Sequence, residues 1–124
     1  MTAFDAERVS RIVTGALSGP GGIALVINVF AGLPGVAHTP GRRGMFRSQP
    51  ARLQIGDWRY EVTPDDRLRA AHVVGGIVIA DELVLADAVG PHLARSLGQI
   101  VARYGPAVIP SIDAAVDALS ASAG

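Results

Sequence analysis

The chain has 124 residues, with eleven Arg balancing eleven Asp and Glu, no Lys and no Cys. Its formal charge is therefore zero, and disulfides, thiolate metal ligands and thiol nucleophiles are excluded. Charged residues make up only 18% of the sequence against 49% apolar. No single-sign run exceeds two residues, which leaves no basic nucleic-acid tail and no acidic disordered arm.

The length predicts a single domain over residues 1–124, large enough to bury about two-thirds of its unfolded surface. The mean hydropathy of +0.35 has two explanations, apolar surface hidden in an oligomer or abundant alanine raising the score. An all-arginine basic set beside much Ala, Gly and Pro accompanies GC-rich coding and fits a bacterial source. Residues 42–69 hold seven Arg against four acids, and residues 70–124 hold two Arg against five acids. The two segments neutralise each other within one fold or across a subunit contact.

Thr2 with Asp5 three positions on forms a capping pattern, and Phe4, Val9, Ile12, Val13, Ala16 and Leu17 recur on one face. An amphipathic helix is predicted, ended by Gly19 and Pro20. Residues 12–41 then run thirty positions without a formal charge. Gly19–Gly22 and Pro34-Gly35 interrupt that window, so the apolar stretch Ile23–Leu33 is about half the roughly 20 residues a membrane span needs. A secretory leader would use Arg8 and Arg11 before it and Gly35-Val-Ala37 as cleavage site, but Asp5 and Glu7 oppose a basic leader. The expectation is a cytoplasmic protein without a membrane segment. Ile23, Val26, Ile27, Val29 and Phe30 favour a strand, placed over Ile23–Ala31 and buried on both faces. Asn28 tests it: in a buried strand its amide needs partners inside the fold, whereas an exposed Asn28 marks a partner surface.

Pro34 to Pro50 reads as a long surface loop carrying Arg42, Arg43, Phe46 and Arg47, chemistry suited to phosphates, carboxylates or an acidic protein partner. Neither Gly19–Gly22 nor Gly41-Arg-Arg-Gly44 has the spacing of a phosphate loop. Ala51–Ile55 and Trp58–Val62 flank the two-residue turn Gly56-Asp57 and predict a hairpin. Its register sets Ile55 opposite Trp58, Leu53 opposite Tyr60 and Ala51 opposite Val62 on one face. Arg52 with Glu61 and Gln54 with Arg59 lie on the other. A one-residue slip would expose the aromatic face, at about 1.5–3 kcal/mol per large apolar side chain.

Thr63-Pro-Asp-Asp66 fits a turn or a helix start, and the turn is preferred. Leu68–Val74, Gly75-Gly76 and Ile77–Ile79 read as one strand bent at its glycines, with Glu82–Leu85 a short returning strand. A helix is expected to start around Pro91, with Leu93, Leu97, Ile100, Val101 and Tyr104 on one face and Gly105-Pro106 at its end. Ser111 caps another with Ile112, Ala115, Val116 and Leu119 inward, and Ser120–Gly124 is read as a frayed tail. The sum is an α+β domain: an N-terminal helix, a mostly antiparallel sheet of about four or five strands, and two C-terminal helices packed on one face.

The chemical inventory is sparse. His38, His72 and His92 are not paired at i and i+4, no HExxH or carboxylate cluster accompanies them, and no GxSxG frames a serine. Neither metal nor cofactor is called for. The strand register that pairs Val62 with Leu68 sets His72 beside Trp58. There it is either a satisfied core or edge histidine, or a general acid or base in a pocket near Trp58 and Tyr60, oriented by Asp81 or Glu82. The leading expectation is a non-catalytic homodimeric interaction domain, an adaptor or accessory subunit. The alternative is a small-molecule-binding domain or small enzyme at Trp58, Tyr60 and His72. Nucleic-acid binding through Arg42, Arg43, Arg47, Arg52 and Arg59 is disfavoured by the neutral charge and absent lysine.

Overall fold

The computed structural model describes residues 4–19, 21–39, 42–43, 48–49, 52–63 and 65–123. Helix α1 (Ala6–Leu17) is capped by Asp5, whose Oδ1 accepts the Arg8 N–H at 3.0 Å. Val9, Val13 and Ala16 are buried along it, with Phe4, Ile12 and Leu17 packed at the rim of the core.

The predicted strand over Ile23–Ala31 is instead helix α2, Gly22–Phe30. Ile23, Val26, Ile27 and Phe30 recur at i, i+3, i+4 and i+7, and all four are buried. In a strand, Asn28 would share a face with Val26 and Phe30 and be dragged into the core; in the helix it is exposed. The β-branched residues cost the helix only tenths of a kcal/mol each relative to alanine. Burying four large apolar side chains outweighs that, at about 1.5–3 kcal/mol apiece.

Part of the predicted loop is also ordered. Strand β1 (Val36–Thr39) pairs with β4, and β2 (Arg42–Arg43) pairs with β3 (Ser48–Gln49) in a separate two-stranded ladder. The hairpin of β4 (Arg52–Ile55) and β5 (Trp58–Val62) has the expected register across its described residues: Ile55 opposite Trp58, Leu53 opposite Tyr60, Arg52 opposite Glu61. Ala51, read opposite Val62, lies outside the described residues. Gly56 takes φ +58° as the first turn residue, the position at which a type II′ turn demands glycine.

Thr63–Asp66 is a turn, closed by the Asp66 N–H on the Thr63 carbonyl at 3.0 Å. Gly75 and Gly76 do not bend one strand but reverse the chain. Both have positive φ, 58° and 82°, as a type I′ hairpin turn requires. They join β6 (Leu68–Val74) to β7 (Ile77–Val84), and the ladder shifts register between His72 and Val73. The five-stranded sheet runs β1-β4-β5-β6-β7, every neighbouring pair antiparallel, with β7 at one edge.

Helix α3 (Ala86–Tyr104) begins five residues before Pro91, which is accommodated inside it. Gly105 at φ +84° ends it, and a 3₁₀ turn at Pro106–Val108 leads into α4 (Ile109–Ala123). Ser111 therefore lies within α4, not at its cap, and the helix continues through most of the expected tail. Helix α1 packs against α2, α3 and α4. One sheet face contributes Leu53, Ile55, Tyr60, Leu68, Ala70 and Val84 to the same core as the helices. The opposite face carries the ion pairs Arg52–Glu61 (3.6 Å) and Arg69–Asp81 (2.8 Å).

Candidate functional site

Trp58 and His72 sit opposite each other on β5 and β6, with ring centroids 4.7 Å apart and planes 12° from parallel. The antiparallel register that follows from the Thr63–Asp66 turn brings them together. His92 from α3 closes on the same indole edge-on, 4.5 Å between centroids, and on the Tyr60 ring at 5.4 Å. Trp58 and His72 are partly exposed, whereas Tyr60 is completely buried.

Beneath this stack lies a polar chain. The Tyr60 hydroxyl is 2.7 Å from His92 Nδ1 and 2.5 Å from Ser96 Oγ, and Ser96 is itself buried. His92 and Ser96 are four residues apart on α3 and so share one helix face. Glu82 on β7 places Oε1 3.9 Å from His92 Nε2. A proton on Nε2 faces that carboxylate and leaves Nδ1 as an acceptor, so Tyr60 donates to His92 and accepts from Ser96. Burial pushes the Tyr60 phenol far above its ordinary value, which keeps the donor protonated. Burial also lowers the His92 imidazole, assisted by the Arg95 charge and opposed by Glu82. Among the described residues no buried side-chain polar atom lacks a partner.

The chemistry of this cluster is limited by its own bonds. Ser96 has no solvent contact to speak of and its hydroxyl is committed to Tyr60, while the lone pair of His92 that a base would use is occupied. Glu82 lies near His92, at 3.9 Å and so without a hydrogen bond to it, and Asp81 turns to Arg69 on the other face. Sequence reasoning missed His92 and Ser96 because they reach Tyr60 from 32 and 36 residues away. Their i, i+4 spacing beside an aromatic hairpin was the available signal. Among the described residues no group of three His, Asp or Glu is placed to hold a metal, and no helix is long and apolar enough to cross a membrane.

Arg42 and Arg43 pair with Gln49 and Ser48 in the short β2–β3 ladder; Phe46 and Arg47 lie outside the described residues. Arg52 is engaged by Glu61. The proposed arginine surface is therefore described only through its backbone and at Arg52 and Arg59.

Among the described residues the most exposed apolar feature is β7. Seven of its eight residues are exposed, with Ile77 at 67% and Ile79 at 59% relative exposure. Val74 across the turn and Leu85 beyond the strand extend the row, Leu85 at 66%. At the far end of β7 a cavity of about 630 Å³ opens between the end of α1, the start of α2 and the start of α3. Leu17, Ile23, Ala24, Leu68, Leu85 and Val89 line it, with Asp66 and Arg67 beside them.

No curated protein and no solved structure matches the chain. The model of one family, DUF5073, a domain of unknown function, matches residues 1–121, and the chain belongs to that family.

Proposed function

We propose that this chain is a non-catalytic, self-associating interaction domain, an adaptor or accessory subunit whose copies pair through the β7 edge. The observation that carries the reading is the row Ile77, Val78, Ile79 and Leu83 left exposed on an edge strand of eight residues. Edge strands with free backbone groups and apolar side chains are templates for pairing, and natural proteins that stay monomeric blunt them with charge, proline or bulges. Here the register shift near Ile79 is one such device, and the two acids are already engaged, Asp81 by Arg69 and Glu82 beside His92. The uncharged half of the strand has no cover beyond that one irregularity. The closed hydrogen bonding of Tyr60, His92 and Ser96 supports a structural role for that cluster over catalysis.

Light scattering or sedimentation at micromolar concentration tests the proposal. A dimer is expected for the native chain and a folded monomer for the double variant Ile77→Lys with Ile79→Lys, since both side chains are exposed in the single chain. A native chain that remains monomeric overturns the reading.

A further inference from the structure

The β6–β7 hairpin and the 630 Å³ cavity are complementary features at opposite ends of the same strand. The hairpin tip carries Val74 and Ile77 around two glycines, and Val73 to Ala80 is an uncharged run of eight residues. The cavity wall is mostly aliphatic and includes Val84 and Leu85 where β7 ends. Along one strand the tip lies about seven residues from that wall, roughly 23 Å at about 3.3 Å per residue. A tip therefore cannot reach the cavity of its own chain.

We infer that the cavity of each copy receives the β6–β7 hairpin tip of a second copy, in a reciprocal two-fold contact. This rests on pairing through β7 and specifies what that pairing does. When two β7 strands run antiparallel about an axis at Asp81, the start of each lies beside the end of the other and Ile77 stands opposite the partner's Leu85. Val74 and Ile77 of each chain then come to Leu85 of its partner. The contact is isologous: the same knob and the same hole are used twice, and the assembly closes at two chains. The side-chain parity agrees. Ile77 pairs with Val74, two positions beyond His72 on β6, and so leans to the helix side of the sheet, the side to which the cavity-lining Leu68 and Val84 also belong. An uncharged tip meets the aliphatic part of the wall, and the Asp81 carboxylates that face each other at the axis are each held by their own Arg69.

The absence of cysteine from the chain makes the contact directly testable. Differently tagged Ile77→Cys and Leu85→Cys variants are mixed and oxidised. A covalent heterodimer joining the two variants is expected as the main product, because the partner's Leu85 faces Ile77 and no intrachain bond is possible in singly substituted chains. Predominant Ile77-to-Ile77 linkage would place the tips together and overturn the inference. Filling the cavity with Ala24→Trp is expected to weaken the dimer at least tenfold while leaving the circular dichroism of the monomer unchanged. If Ala24→Trp leaves the dissociation constant unaltered but Ile77→Lys with Ile79→Lys abolishes the dimer, the edge pairing stands and the docked tip is rejected. A monomeric native chain rejects both.

Discussion

The Tyr60 hydroxyl stands 2.7 Å from Nδ1 of His92 and, bonded also to Ser96, joins the buried face of the central sheet to α3. Removing it with Tyr60→Phe leaves His92 Nδ1 and the Ser96 hydroxyl without their partner in a site closed to water. An unsatisfied buried group costs about 1–3 kcal/mol, so urea denaturation of Tyr60→Phe is expected to show a loss of that size. Ser96→Ala removes a donor but leaves the Tyr60–His92 bond whole, and its cost should be the smaller of the two. Equal stability of Tyr60→Phe and the native chain would mean that the three groups are not bonded in solution.

His92 also links stability to pH. Burial holds its folded-state value below the ordinary 6.5. Above that value both folded and unfolded chains carry a neutral imidazole, and His92 adds no slope. As pH falls below it, the unfolded chain binds a proton that the fold refuses, and stability is lost until the folded-state value is reached. Glu82 works against the shift and Arg95 with it. Asp65 adds a separate loss at lower pH: the Thr63 hydroxyl, assisted by a backbone N–H, holds its carboxyl below 3.8, and that contribution fades as pH falls through the carboxylate range. Denaturation midpoints measured between about pH 7 and pH 5.5 should fall for the native chain. The fall should be shallower for His92→Gln, whose amide oxygen still accepts from Tyr60. Parallel profiles for the two proteins would remove His92 from the account.

The features that were legible in the sequence were those fixed by short-range geometry. Gly56-Asp57 between two alternating segments determines which residue faces which, so Leu53 with Tyr60 and, through the next turn, Trp58 with His72 follow from counting. The Arg69–Asp81 pair and the β6–β7 hairpin were obscured because Gly75-Gly76 serves a bend as readily as a reversal until both φ angles are known. His92 and Ser96 needed the docking of α3 on the sheet, a contact that no local pattern encodes. In α2 the helical period was present, but Leu25 and Val29 between the core positions are also apolar and blurred it toward a strand.

The helical assignment of that segment separates two neighbouring residues sharply. Phe30 is fully buried and Asn28 is exposed. Phe30→Ala is expected to cost about 3–5 kcal/mol, and Asn28→Ala to change stability by about 0.5 kcal/mol or less. A strand buried on both faces would reverse the second expectation, because the Asn28 amide would then hold internal hydrogen bonds. Thermal unfolding of the two variants decides between the arrangements.

Gly90 and Gly15 make an opposed pair of helix glycines. An added Cβ at Gly90 would stand 2.5 Å from the Ser10 carbonyl oxygen and 2.6 Å from Thr14 Oγ1, so α3 lies against α1 with no room for a methyl group. The Thr14 hydroxyl is bonded to that same carbonyl at 2.8 Å and cannot swing away without breaking the bond. Alanine gains about 1 kcal/mol over glycine from helix propensity. Separating two packed helices costs about 1–3 kcal/mol, so Gly90→Ala is expected to destabilise or at best break even. At Gly15 a Cβ meets nothing within 4 Å and the backbone is helical, leaving the propensity gain unopposed. Gly15→Ala should therefore stabilise by about 0.5–1 kcal/mol. Denaturation midpoints that rise for both variants would show that α1 and α3 do not approach so closely around Gly90.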